Sequence, residues 1–377
     1  MFCGMISMLA LFAVVQNAPV ASAPIIVTDH RSPAIQPVLI HYAPTWIRCE
    51  GETVTATEPV LPFDAVTSMP ATSALQPMRF DFRIDAKGRP LGIRRVEPER
   101  YFYSPVDDAS PALAATRFVA GQVHPRCAVT YEGTATPLAS ASVNQLADFL
   151  SIPHQDRYND PAAWRALRPA GTDCQNPRPR NVLFPDFTGI PGRPGIPDHG
   201  VAAYDIDAEG KPVNVRVLGS SGNDAFDREA LRSIEQSRFA SEPKTGCLGR
   251  FGAGPRAPML PPEVSRADFS DGKACRKEPA WETKPVPVFP TNFTRRSIEG
   301  IAIIGFDVAP WGGTGNVRVL ASEPSFEFGD AARNSIERAK KPPSERGLSG
   351  CVQVVRFAMG RASEFLPGAE PEPVPGN

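Results

Sequence analysis

One order of apolar and polar positions recurs along the chain. Residues 300–343, GIAIIGFDVAPWGGTGNVRVLASEPSFEFGDAARNSIERAKKPP, alternate with period two, pass a Gly-rich turn, alternate again and then change to a helical period. That order predicts a hairpin followed by a helix. Residues 200–243, GVAAYDIDAEGKPVNVRVLGSSGNDAFDREALRSIEQSRFASEP, show the same order, with Glu209-Gly210 at the turn. Glycine there supplies the positive φ of a tight hairpin. Phe226, Ala230, Leu231 and Ile234 share one helical face, with Asp224 as the expected cap, and Phe328, Ala332 and Ile336 occupy the equivalent places. The segment NVRVL stands at Asn214–Leu218 and again at Asn316–Leu320, as the second strand of each hairpin. Phe80–Val96, FDFRIDAKGRPLGIRRV, is a looser copy, and its helix region around Asp107–Phe118 is interrupted by Pro111. Strand-like runs close each stretch: CAVTYEG from Cys127, CLGRFG from Cys247 and CVQVVRFAM from Cys351. The expected fold class is therefore α+β, three tandem units of strand, strand, helix and strand.

Cysteine spacing sharpens this division. Apart from Cys3, the six cysteines form consecutive pairs Cys49/Cys127, Cys174/Cys247 and Cys275/Cys351, separated by 78, 73 and 76 residues. Six cysteines allow 15 pairings, and a repeat favours the one in which each unit closes its own bridge. Buried free thiols are the alternative. Structural zinc is disfavoured, because no two cysteines have close ligand spacing and the five His are scattered. Disulfides point to an oxidising compartment.

The chain has 377 residues, enough for two or three domains. Its net charge of -1 and 42% apolar content give no electrostatic footprint for nucleic acid. The apolar run Met5–Val15, followed by Ala21-Ser22-Ala23, has the length of a signal-peptide core and falls short of a spanning helix. Export to the periplasm is the expectation, with an uncleaved inner-membrane anchor as the alternative. The expected division is 1–23 leader, 24–141, 142–262 and 263–366 as the three units, and 367–377 as a Pro-rich disordered tail.

At FPTNFTRRSIEG, with Pro290, Arg295, Arg296, Ile298, Glu299 and Gly300, the third unit resembles the C-terminal domain of the TonB family of energy transducers. The second resembles the later half of that pattern in VLGSSGNDAFDREAL. Neither copy is complete: the second lacks the Arg pair, and the third has Glu323-Pro324 where the family has a Ser-Gly turn. The resemblance implies a non-catalytic binding protein that takes an extended peptide of an outer-membrane transporter, or of another envelope protein, as an added strand. The last strand of the third unit, Val352, Gln353, Val354, Val355, Arg356 and Phe357, is the expected peptide-binding edge. A structural spacer without a peptide groove is the alternative, since sheet edges are usually protected.

Other chemistry is thin. GSSG at Gly219–Gly222 follows a strand where the family has a turn, and AEGKP lacks phosphate-loop spacing. Arg295 and Arg296 are candidates to contact a carboxylate or phosphate, or else solvated helix residues paired with Glu299. No cofactor, metal or small-molecule substrate is expected.

Overall fold

The computed structural model describes residues 35–70, 73–96, 106–152, 160–264, 269, 275, 279–359 and 364–366. The expected leader and the tail 367–377 lie outside the described residues.

The first sheet contains β1 (Ile35–Cys49), β2 (Glu52–Thr53), β3 (Ala65–Pro70), β4 (Met78–Ile84), β5 (Pro90–Val96) and β6 (His124–Pro137), with helix α1 (Ala109–Ala115) between β5 and β6. Its order is β2-β1-β6-β4-β5, with β3 also on β1. It is thus larger than the three strands expected, because a 15-residue β1 precedes the hairpin and pairs along β6. Helix α1 forms despite Pro111, which lies in its first turn, where a missing N–H forfeits no intrahelical bond.

Next come α2 (Val143–Ser151), α3 (Pro161–Leu167), β7 (Pro179–Asn181), β8 (Asp198–Ile206), β9 (Pro212–Ser220), α4 (Asp224–Gln236), β10 (Arg238–Phe239) and β11 (Lys244–Ala253). Strands β11-β8-β9 form the second sheet. It is covered on both faces, which explains the nearly continuous burial of β8. Ala202, Tyr204 and Ile206 face Ile234 of α4, whereas Val201 joins Leu146, Phe149 and Leu150 of α2. Gly219 lets α2 approach, since a Cβ there would lie 2.5 Å from the Ala147 methyl. The α4 cap is Asn223, whose side chain accepts from the Phe226 N–H; Asp224 is the first helical residue and not the cap.

The last sheet holds β12 (Gly300–Val308), β13 (Thr314–Glu323), β14 (Leu348–Phe357) and β15 (Glu364–Leu366), with α5 (Thr291–Thr294) before β12 and α6 (Phe326–Glu337) between β13 and β14. Its order is β13-β12-β14-β15. Phe328, Ala332 and Ile336 of α6 are fully buried, as are Phe226 and Ala230 of α4.

Local details coincide across the three hairpins. The turn glycines Gly88, Gly210 and Gly312 have φ of 72°, 80° and 90°. Each turn carbonyl accepts the N–H of a residue beyond the following helix, Phe118, Phe239 or Lys341, at 2.9, 2.8 and 2.9 Å. A Cβ at any of these glycines would strike that residue's carbonyl oxygen at 2.2, 2.3 or 1.9 Å. The second strand of each hairpin also carries a left-handed residue: Gly92, Asn214 and Asn316 have φ of 60°, 53° and 49°. Asn tolerates this region better than other side chains. Asn214 and Asn316 in addition donate to Asp205 and Asp307 across a register shift, at 2.8 and 2.7 Å. The twin NVRVL segments thus mark twin bulges.

All three disulfides form as the spacing suggested: Cys49–Cys127, Cys174–Cys247 and Cys275–Cys351.

The first and last sheets share one apolar core, in which Phe80, Ile93 and Leu113 join the cluster of Phe293, Phe328 and Phe357. Their edges also meet. The Ile93 N–H donates to Pro324 O at 2.9 Å, the Gly92 N–H donates to Glu323 Oε2 at 2.7 Å, and Arg83 pairs with Glu323 at 2.7 Å. Glu323-Pro324, a departure from the family pattern, is therefore where the third hairpin docks on the first.

Candidate functional site

Two strands occupy the same place after a helix and a disulfide, β11 in the second sheet and β14 in the last. Each pairs with a central strand, β8 or β12. In β14, Val352, Gln353, Val355 and Phe357 are buried, Val354 is half-buried and Arg356 is exposed. The expectation that this strand is an open edge is corrected. Strand β15 lies on its outer side, with Val354 opposite Leu366, Val355 opposite Phe365 and Arg356 opposite Glu364. A three-residue segment has too little pattern to be legible as a strand.

Strand β11 differs. It ends its sheet, and among the described residues no strand lies on its outer side. Its beginning is covered there: the Thr245 N–H donates to Asp173 Oδ1 at 2.7 Å, and Thr245 O accepts the Cys174 N–H at 3.2 Å. The disulfide at Cys247 fixes this end to the loop at Cys174. Beyond it, Leu248 packs toward the α2 cluster and Phe251 toward the α4 cluster, so both faces of the strand are held while its edge is presented.

The motif residues do not line either edge. Pro290 caps α5, Ile298 is fully buried, and Gly300 lies against Phe328, whose ring would be 2.3 Å from a Cβ. Arg296 is not solvated and does not pair with Glu299: only 1% of its side chain is exposed, and its Nε donates to Asp108 Oδ1 at 2.9 Å. It also donates to the carbonyls of Leu61 and Gly195 and stands 3.9 Å from the centre of the Phe63 ring. Arg295 pairs with Asp107. Glu299 instead accepts the Met359 N–H at 2.8 Å. The pair of arginines thus fastens the last sheet to α1.

Ser220 and His199 do not form a nucleophile and base. The Ser220 hydroxyl donates to Asp227 at 2.6 Å, whereas His199 Nε2 faces Asp148 at 3.4 Å and its Nδ1 faces Pro197 O. Burial raises the Asp227 carboxyl pKa and pushes the Tyr204 hydroxyl up to about 12. Hydrogen bonds from Asn214 and Asn316 hold Asp205 and Asp307 below the usual carboxylate range. Among the described residues no cluster of three or more His, Cys, Asp or Glu is placed to hold a metal ion, and no helix is long and apolar enough to cross a membrane.

Sequence reasoning missed α2, which braces the outer face of the second sheet. The signal was present: Ser142 and Gln145 form a capping box immediately before Leu146, Phe149 and Leu150.

No curated protein matches the chain. Residues 194–248 and 285–358 match the family described as Gram-negative bacterial TonB protein C-terminal. The first segment spans β8 to the start of β11, and the second spans α5 to β14. Over these two segments the chain carries the sequence pattern of the TonB C-terminal family, and that match points to a TonB-related protein of the cell envelope.

Proposed function

We propose that this is a non-catalytic periplasmic protein of three TonB C-terminal-like units, 24–141, 142–262 and 263–366, exported by the leader at 1–23. It takes up extended segments of an outer-membrane transporter or another envelope protein by strand addition. The observation that carries the reading is the position of β11, ten residues long, at the end of a sheet whose faces are both packed. Main-chain hydrogen bonds along such an edge supply affinity, and alternate side chains supply selection. Val352–Phe357 of β14 form the corresponding site in the last unit, with β15 as an internal strand to be displaced. The shared core and the covered β14 edge favour a second reading for the first and last units, that of a rigid spacer.

Titrating the isotope-labelled full chain with extended TonB-box-like peptides, followed by amide NMR, tests the proposal. Shifts are expected first along Leu248–Ala253. Shifts confined to other surfaces, or none at millimolar peptide, would contradict it.

A further inference from the structure

The outer face of the first sheet holds a feature unrelated to strand edges. Register places Arg48, Ala128, Asp81 and Arg94 side by side on β1, β6, β4 and β5. The side chains of this row leave the face opposite the core, whose inner row includes Cys49, Cys127 and Phe82. Ala128 is small, so the row dips between its two arginines into an open trough of about 700 Å³ that Arg83 and Arg126 also line. Four arginines against two carboxylates, Glu50 and Asp81, give the lining a positive balance in a chain of net charge -1. Of the four, only Arg83 is ion-paired among the described residues, to Glu323.

The arginines are also positioned by aromatic rings. Arg48 stands 5.2 Å from the centre of the Trp46 ring and Arg94 lies 3.8 Å from that of Phe326, which belongs to α6 and closes one end of the trough. Cation–π contact of this kind holds a guanidinium while leaving its N–H fork free for a carboxylate.

Three ligand classes fit poorly. Sugars and bases stack on open ring faces, and these faces carry guanidinium groups. A flat membrane does not reach cations lining a recess. A polyanion charged at every repeat meets Asp81 between the two arginines. We infer that this trough binds an extended acidic peptide running across the strands, with carboxylates at positions i and i+4 and a basic or neutral residue at i+2. The spacing agrees: three inter-strand steps of about 4.8 Å separate Arg48 from Arg94 by about 14 Å, and four residues of extended peptide span about 13 Å. The central residue then stands between Ala128 and Asp81, where a lysine meets the aspartate.

Fluorescence anisotropy of labelled peptides on the full chain tests this. A peptide with Glu-Gly-Lys-Gly-Glu at its centre is expected to bind at least tenfold more tightly than one with Glu-Gly-Glu-Gly-Glu, and Lys-Gly-Glu-Gly-Lys is expected not to bind. Arg48→Glu and Arg94→Glu, both exposed substitutions, should each weaken binding about tenfold while circular dichroism and melting stay unchanged. Asp81→Asn should abolish the preference between the two acidic peptides. Equal affinity for the two acidic peptides on the unsubstituted chain would overturn the inference. So would binding indifferent to both arginine reversals, or tighter binding of polyphosphate or phosphatidylglycerol vesicles through them. The substitutions leave β11 untouched, so strand addition there stands or falls separately.

Discussion

Strands β11 and β14 close equivalent hairpin–helix arrangements, yet they meet different surroundings. Strand β14 is flanked on both sides and belongs to a sheet that shares its core with the first sheet. Strand β11 is paired on one side only, in a smaller sheet sandwiched between α2 and α4. The difference teaches that one fold can serve as scaffold in one place and as a presented edge in another. What decides is the residues at the margins of the hairpin: Arg296 and Glu323 commit the last unit to its neighbour, and the second unit lacks the Arg pair.

The largest expected effect comes from breaking that commitment. Arg296→Leu leaves the Asp108 carboxylate buried without its cation, so stability should fall by about 3–5 kcal/mol. Chemical denaturation would show it, and Arg296→Leu combined with Asp108→Leu should recover part of the loss. On the other side of the comparison, Cys174→Ser with Cys247→Ser frees the start of β11. The expected loss is about 3 kcal/mol, with faster hydrogen exchange in β11 than in β14. Gly300→Ala forces a methyl against Phe328, and a loss of about 1–3 kcal/mol, read as a lower melting temperature, is expected. Ending the chain after Met359 removes β15 and should turn β14 into a second peptide site, seen as a change from one to two equivalents in calorimetry.

The smallest effect is a dependence on pH. The His41 Nδ1–H donates to Asp64 Oδ1 at 2.6 Å, and this hydrogen bond raises the imidazole pKa above its usual 6.5 despite partial burial. A raised folded value means that the stabilisation is fully present below the unfolded pKa and fades as pH rises through the folded one. Melting temperatures measured from pH 6 to 8.5 should therefore decline more in the unsubstituted chain than in His41→Gln. Asp148 of α2 adds to the same shift and also faces His199, so the effect is expected where the first and second sheets meet.

Much of this architecture was legible because it rests on local chemistry. Gly210 announces a left-handed turn, the twin NVRVL segments announce equivalent second strands, and paired cysteines at similar intervals announce their bridges. The Asn223 cap was displaced by one residue, since Asn and Asp both suit that place. What stayed hidden joins distant parts of the chain. Arg296 and Asp108 are 188 residues apart and share no periodic pattern, so their pairing depends on how two folded units fit. The arginine row likewise exists only once four strands have found their register.

The central claim is that β11 is an edge on which a peptide adds. Hydrogen exchange of the full chain, with and without a TonB-box-like peptide, tests it most directly. Slower exchange gained in Leu248–Ala253, with β14 already slow beforehand, is the result expected. Amides of β11 that are fully protected without peptide and unchanged by it would contradict the claim and leave the spacer as the better account.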